Sequence, residues 1–145
     1  MKKKVLCVCA GNTCRSPMMA ALLQKELGNE FQMESAGWFR NQVGEPASEN
    51  AVFFMRVRGI DISEHKARWI RDLDLKAFSH IVCVNPDMAY NIRSNLENDQ
   101  TMVLIAGVEV GGVPDPYGKG RDAYRECANL LDKAMHEIAA IIRNS

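Results

Sequence analysis

The sequence has no stretch approaching the ~20 apolar residues that a membrane-spanning helix needs, and no pair of cysteines with two residues between them as in a zinc ribbon or a thioredoxin-like motif. Its three histidines, at 65, 80 and 136, are too scattered to form a metal set with the cysteines, so no metal is expected. Charge of one sign is also missing. With 18 basic and 18 acidic residues, no global field recommends nucleic acid or an acidic membrane as partner, and any affinity for anions must be local. Three lysines precede the apolar run Val5–Ala10, but six residues are too few for the apolar core of an export signal. Five cysteines, an odd number, fit reduced thiols, so a cytoplasmic protein is expected. The chain shows no repeat, linker or low-complexity stretch, and residues 1–145 are the size of one domain.

What is present has the alternation of an α/β protein. Val5 to Cys9 is a continuous apolar run bounded by turn residues, which predicts a buried strand of a parallel sheet. From Pro17 the period changes: Met18, Met19, Leu22, Leu23 and Leu27 recur at helical spacing, with Ser16 as N-cap and Gly28 as terminator. Further strands are expected at 31–36, 80–84 and 102–106, and helices at 48–58, 86–96 and briefly at 69–73. Cys127, Leu130, Leu131, Ala134, Ile138, Ile141 and Ile142 form one stripe of a long closing helix.

The most informative stretch lies between the first strand and the first helix. Ligands of open α/β sheets bind at the carboxyl ends of strands, and Cys9 stands at such an end. The backbone N–H groups of Ala10, Gly11, Asn12, Thr13 and Cys14 can converge on a tetrahedral oxyanion at a helix N-terminus, Gly11 supplying left-handed dihedrals and close approach. Arg15 adds a planar fork matched to phosphate oxygens. A thiol in that field ionises readily and becomes a competent nucleophile, so a phosphocysteine intermediate is expected on Cys9. Cys7 points away from Val8 along the strand and reads as core. Cys14 is open to two readings, a reversible disulfide partner shielding Cys9 or a small loop filler. Phosphoryl transfer also needs an acid for the leaving group. Asp115, between two prolines in the irregular segment 107–120, can sit above the pocket mouth, with Tyr117 as an aromatic wall.

Cys9-Ala-Gly-Asn-Thr-Cys-Arg-Ser-Pro, Ser35-Ala-Gly, Gly59-Ile-Asp-Ile-Ser, His65-Lys-Ala-Arg68 and Asp115-Pro-Tyr together resemble the low-molecular-weight protein tyrosine phosphatases, in order and over essentially the whole chain. The resemblance implies a single flavodoxin-like domain, a four-stranded parallel sheet with helices on both faces, and no cofactor or metal. It makes Cys9 the nucleophile and Arg15 the phosphate clamp. Ser16 becomes the donor that eases departure of the thiolate, and Asp115 the general acid and then base. Asn12, Ser35 and His65 match the buried network that holds the loop. Phosphorylated proteins are the implied partners, and a weak homodimer is compatible with the resemblance.

Three positions depart from the tyrosine-specific pattern. Asn41 stands where many members carry an aromatic or bulky apolar wall, leaving Trp38 or Phe39 to supply it. Val84-Asn85 replaces the usual Met-Asp. Thr13 replaces an isoleucine and resembles the arginine-phosphate phosphatases, whose smaller polar residue suits a guanidino group. Phosphotyrosine hydrolysis is therefore expected first and phosphoarginine hydrolysis second. Arsenate reduction is a weaker expectation, because Cys83 lies within a strand with no cysteine partner before Cys127. A non-catalytic phosphate-binding module would be favoured by loss of Cys9, Arg15 or Asp115, and all three are present.

Overall fold

The first strand, β1 (Lys3–Cys9), is buried without interruption from Val5 to Cys9. Successive strand side chains face opposite ways, so this unbroken burial means that both faces of the sheet are covered. The computed structural model describes residues 2–97 and 100–145. The remaining strands are β2 (Phe31–Gly37), β3 (His80–Cys83) and β4 (Met102–Ile105), all parallel in the order β2-β1-β3-β4. The register pairs Cys9 with Gly37 on one side of β1 and Val5 with His80 on the other. The connection from β1 goes to one neighbour and the chain then returns to the other. The end of β1 is thus a topological switch point, where α/β sheets open a crevice.

Four α-helices cover the sheet: α1 (Arg15–Leu27), α2 (Glu49–Val57), α3 (Pro86–Asn95) and α4 (Arg121–Arg143). Helices α1, α2 and α4 pack against one another, and α3 lies along β4. The buried stripe of α4 includes Cys127, Leu131, Ala134, Ile138 and Ile142, as the helical spacing predicts, but Leu130 is only partly buried and Ile141 is exposed, while Met135 joins the core. Ser48 caps α2 by accepting from the Ala51 N–H, and Asn85 caps α3 by accepting from the Met88 N–H. The expected helix at 69–73 is a single 3-10 turn, Ile70–Asp72. Among the described residues no helix is long and apolar enough to cross a membrane.

One boundary differs in a way that matters for the site. Ser16 is not the N-cap of α1: the helix starts at Arg15, with Cys14 in the cap position making no side-chain cap bond. Ser16 lies within the first turn, and its hydroxyl turns to the Cys9 thiol. Pro17 is still within the first turn, where its missing N–H is not needed.

Candidate active site

The loop from Cys9 to Arg15 is held from beneath by a buried asparagine. Asn12 is fully buried and is the non-glycine residue with positive φ among those described, at 60°. That left-handed conformation costs on the order of 1 kcal/mol for a residue with a Cβ and persists only when its surroundings fix it. Here they do. Asn12 Oδ1 accepts from the Arg68 backbone N–H at 2.9 Å, and Nδ2 donates to Ser16 Oγ at 2.7 Å. The Asn12 carbonyl accepts from His65 Nε2 at 2.7 Å, which fixes the proton of that ring on Nε2. Ser35 enters the network through its carbonyl, which accepts from Arg68 Nε and Nη2.

The Ser16 hydroxyl, which accepts from Asn12 Nδ2, lies 3.0 Å from Cys9 Sγ. The Asn12 backbone N–H donates to the same sulfur at 3.3 Å. Cys9 is 2 % exposed, at the floor of a cavity of about 220 Å³ lined also by Ala10, Gly11, Thr13, Cys14, Arg15, Phe39, Asn41, Gln42, Asp115 and Tyr117. Burial pushes the thiols of Cys7 up, of Cys83 up to about 11 and of Cys127 up to about 12, so these three remain protonated core groups.

Arg15 is brought over the loop from the first turn of α1 and is itself buried. Its Nη1 donates to the Val113 carbonyl at 2.8 Å, and its Nη2 lies 3.4 Å from Asp115 Oδ2. Arg15 Nε is buried with no protein partner. The segment carrying Asp115 is itself clamped: the Val113 N–H donates to the Val84 carbonyl at 2.8 Å. Gly112, with φ of 117°, makes that approach possible, because a Cβ there would lie 2.5 Å from the same carbonyl. Asp115 is half exposed, and its Oδ1 accepts from the Tyr117 N–H at 3.1 Å.

Several expectations about individual residues change. Gly11 is not in the left-handed region; the residue that is there is Asn12. What Gly11 supplies is clearance, since a Cβ would lie 2.5 Å from Gln42 Oε1. Asn12 supports the cradle from behind and does not line the cavity; its backbone N–H faces the sulfur. Trp38 does not wall this site. It lines a separate cleft of about 240 Å³ with Ile70, Leu73, Leu75 and Leu96, and the exposed wall beside Cys9 comes from Phe39 and Tyr117. Cys14 lines the cavity with its thiol held 3.0 Å from Tyr124 Oη of α4.

Gln42, Tyr124 and the backbone of Val113 carry no local motif and were not expected at the site, and Arg68, though part of the His65-Lys-Ala-Arg68 motif, was given no role there. Long-range contacts bring them there. The Trp38 N–H donates to the Cys9 carbonyl and the Phe39 N–H to the Ala10 carbonyl, so the segment after β2 is stitched along the loop and delivers Asn41 and Gln42 to its rim.

His65 makes the support sensitive to acid. Burial holds its pKa below the ordinary 6.5. As the pH falls through that value, the unfolded chain takes up a proton that the folded chain resists, so stability falls with acidification. The loss of urea stability between about pH 7.5 and about pH 5.5 should be smaller in His65→Asn than in the parent protein. Equal losses would remove His65 as the source.

A buried thiol at the switch point of a parallel sheet, approached by the Asn12 N–H and sharing one cavity with an arginine and a carboxylate, makes this an α/β protein with a cysteine-centred candidate site. Residues 4–145 match the model of the low molecular weight phosphotyrosine protein phosphatase family, and the chain belongs to that family. It is 30 % identical to a protein-arginine-phosphatase of Geobacillus stearothermophilus, over 96 % of this chain and 95 % of the relative. It is likewise 30 % identical to the low molecular weight phosphotyrosine protein phosphatase of Homo sapiens, over 91 % and 96 %. Among solved structures, a low molecular weight protein tyrosine phosphatase from T. tengcongensis superimposes with a TM-score of 0.81 at 33 % identity, covering 98 % of this chain and 99 % of that one.

Proposed function

We propose that the protein hydrolyses phosphorylated side chains of proteins, phosphotyrosine first among them, through a phosphocysteine on Cys9. The observation that carries this reading is the approach of Ser16 Oγ, at 3.0 Å, and of the Asn12 N–H, at 3.3 Å, to the Cys9 sulfur inside one cavity with Arg15 and Asp115. The sulfur attacks phosphorus in line with the leaving oxygen. Arg15 and the N–H groups of residues 10–14 gather the equatorial oxygens, whose charge is held in place through the transition state. Asp115, above the mouth and 3.4 Å from Arg15 Nη2, protonates the departing oxygen and then takes a proton from the water that attacks the phosphocysteine. The Ser16 hydroxyl stabilises the thiolate as it leaves.

A second reading, hydrolysis of phosphoarginine, is favoured by Thr13. Thr13 is part of the cavity lining, and the protein-arginine-phosphatase of G. stearothermophilus is among the relatives. The purified protein should release phosphate from a generic aryl phosphate and from a phosphotyrosine peptide. Absence of both activities would end the phosphatase reading.

A further inference from the structure

Gln42 stands at the rim of the cavity with its side chain tied to the floor. The Thr13 hydroxyl donates to Gln42 Oε1 at 2.7 Å. A hydroxyl has one proton, and an amide oxygen only accepts, so this bond commits the Thr13 proton. The side chain of Gln42 is laid across Gly11, where a Cβ would fall 2.5 Å from Oε1 and 3.1 Å from Cδ, and its backbone carbonyl is fixed by the Glu45 N–H at 3.0 Å. Thr13 lines the cavity and is 6 % exposed, so its Oγ1, with the proton committed, stands in a desolvated position where an unmatched partner is costly.

We propose that Gln42 is a specificity-positioning residue: by taking the Thr13 proton it makes Thr13 Oγ1 an acceptor only, which favours a phosphorylated guanidino group over an aryl phosphate. The bridging nitrogen of a phosphoguanidine carries an N–H that can donate to such an oxygen. The bridging oxygen of an aryl phosphate carries no proton and meets only a lone pair. Without Gln42, Thr13 turns its hydroxyl to whichever partner arrives and the distinction weakens. This inference rests on the phosphoarginine reading given above.

The test measures kcat/KM for a phosphoarginine and a phosphotyrosine peptide of the same sequence, on the parent protein, Gln42→Met, Thr13→Val and the double variant. Both substrates are read on one preparation, so the ratio is independent of the folded fraction. Gln42→Met should lower the ratio of phosphoarginine to phosphotyrosine turnover about tenfold, the size of one net hydrogen bond. In the Thr13→Val background the same change should move the ratio less than about twofold, because the residue through which Gln42 acts is gone. An unchanged ratio in Gln42→Met, an equal shift in both backgrounds, or a parent protein that hydrolyses phosphotyrosine but no phosphoarginine would overturn the inference while leaving the phosphatase reading intact. Failure of the parent protein on both peptides and on a generic aryl phosphate would instead overturn the reading on which it rests.

Discussion

Cys9→Ser is expected to lower turnover of a phosphotyrosine peptide by about ten-thousand-fold or more, as removal of a nucleophile does where the rest of a site is intact. A serine hydroxyl has the shape of a thiol but ionises far less readily, so it is a much poorer nucleophile. The cradle itself should survive. Its form is set by Asn12, His65 and the Arg68 backbone, none of which depends on the sulfur. The variant should therefore still bind vanadate or inorganic phosphate, measured by calorimetry. Full turnover in Cys9→Ser would remove the covalent mechanism, and loss of oxyanion binding as well would recast Cys9 as part of the scaffold.

The second large effect belongs to the carboxylate. Asp115→Asn should slow hydrolysis of a phosphotyrosine peptide by about a hundredfold to a thousandfold, because the tyrosine oxygen leaves poorly without a proton. The loss should shrink for an aryl phosphate whose leaving group is already acidic, since that oxygen departs unassisted. Oxyanion affinity should be unchanged or somewhat tighter. The Asp115 carboxylate is half exposed and 3.4 Å from Arg15 Nη2, so the ion pair is weak, and removing its negative charge leaves the guanidinium freer to meet an anion. Equal losses of rate and of vanadate affinity would reassign Asp115 from proton transfer to binding.

The residues that the sequence makes legible are those whose role is local. Cys9, Arg15 and Ser16 lie within a strand, a loop and one helical turn, and the change from a continuous apolar run to helical spacing marks where a cradle must form. The stripe of α4 is equally plain because it repeats over 23 residues. What escapes is set by long-range geometry. Gln42 and Phe39 sit in a segment of bends and turns with no periodicity, and only the stitching of the Trp38 and Phe39 N–H groups to Cys9 and Ala10 decides that Phe39 faces the site and Trp38 does not. Tyr124 is separated from Cys14 by 110 positions, and its contact follows from α1 packing on α4. The exchange of roles between Gly11 and Asn12 has a similar cause. Glycine is the default for a left-handed residue, but here a buried asparagine adopts that conformation because three hydrogen bonds hold it, and the glycine is needed for space.

The proposed mechanism puts the chemistry on one atom, the sulfur of Cys9, with the other groups holding, neutralising or protonating what it meets. The direct measurement is a rapid acid quench of the protein during turnover of a phosphotyrosine peptide, followed by mass spectrometry of its proteolytic fragments. The mechanism predicts a phosphoryl group on the fragment containing Cys9, accumulating in Asp115→Asn with a good leaving group and absent in Cys9→Ser. A turning-over enzyme that carries no phosphoryl group, or carries it on a fragment without Cys9, would contradict it.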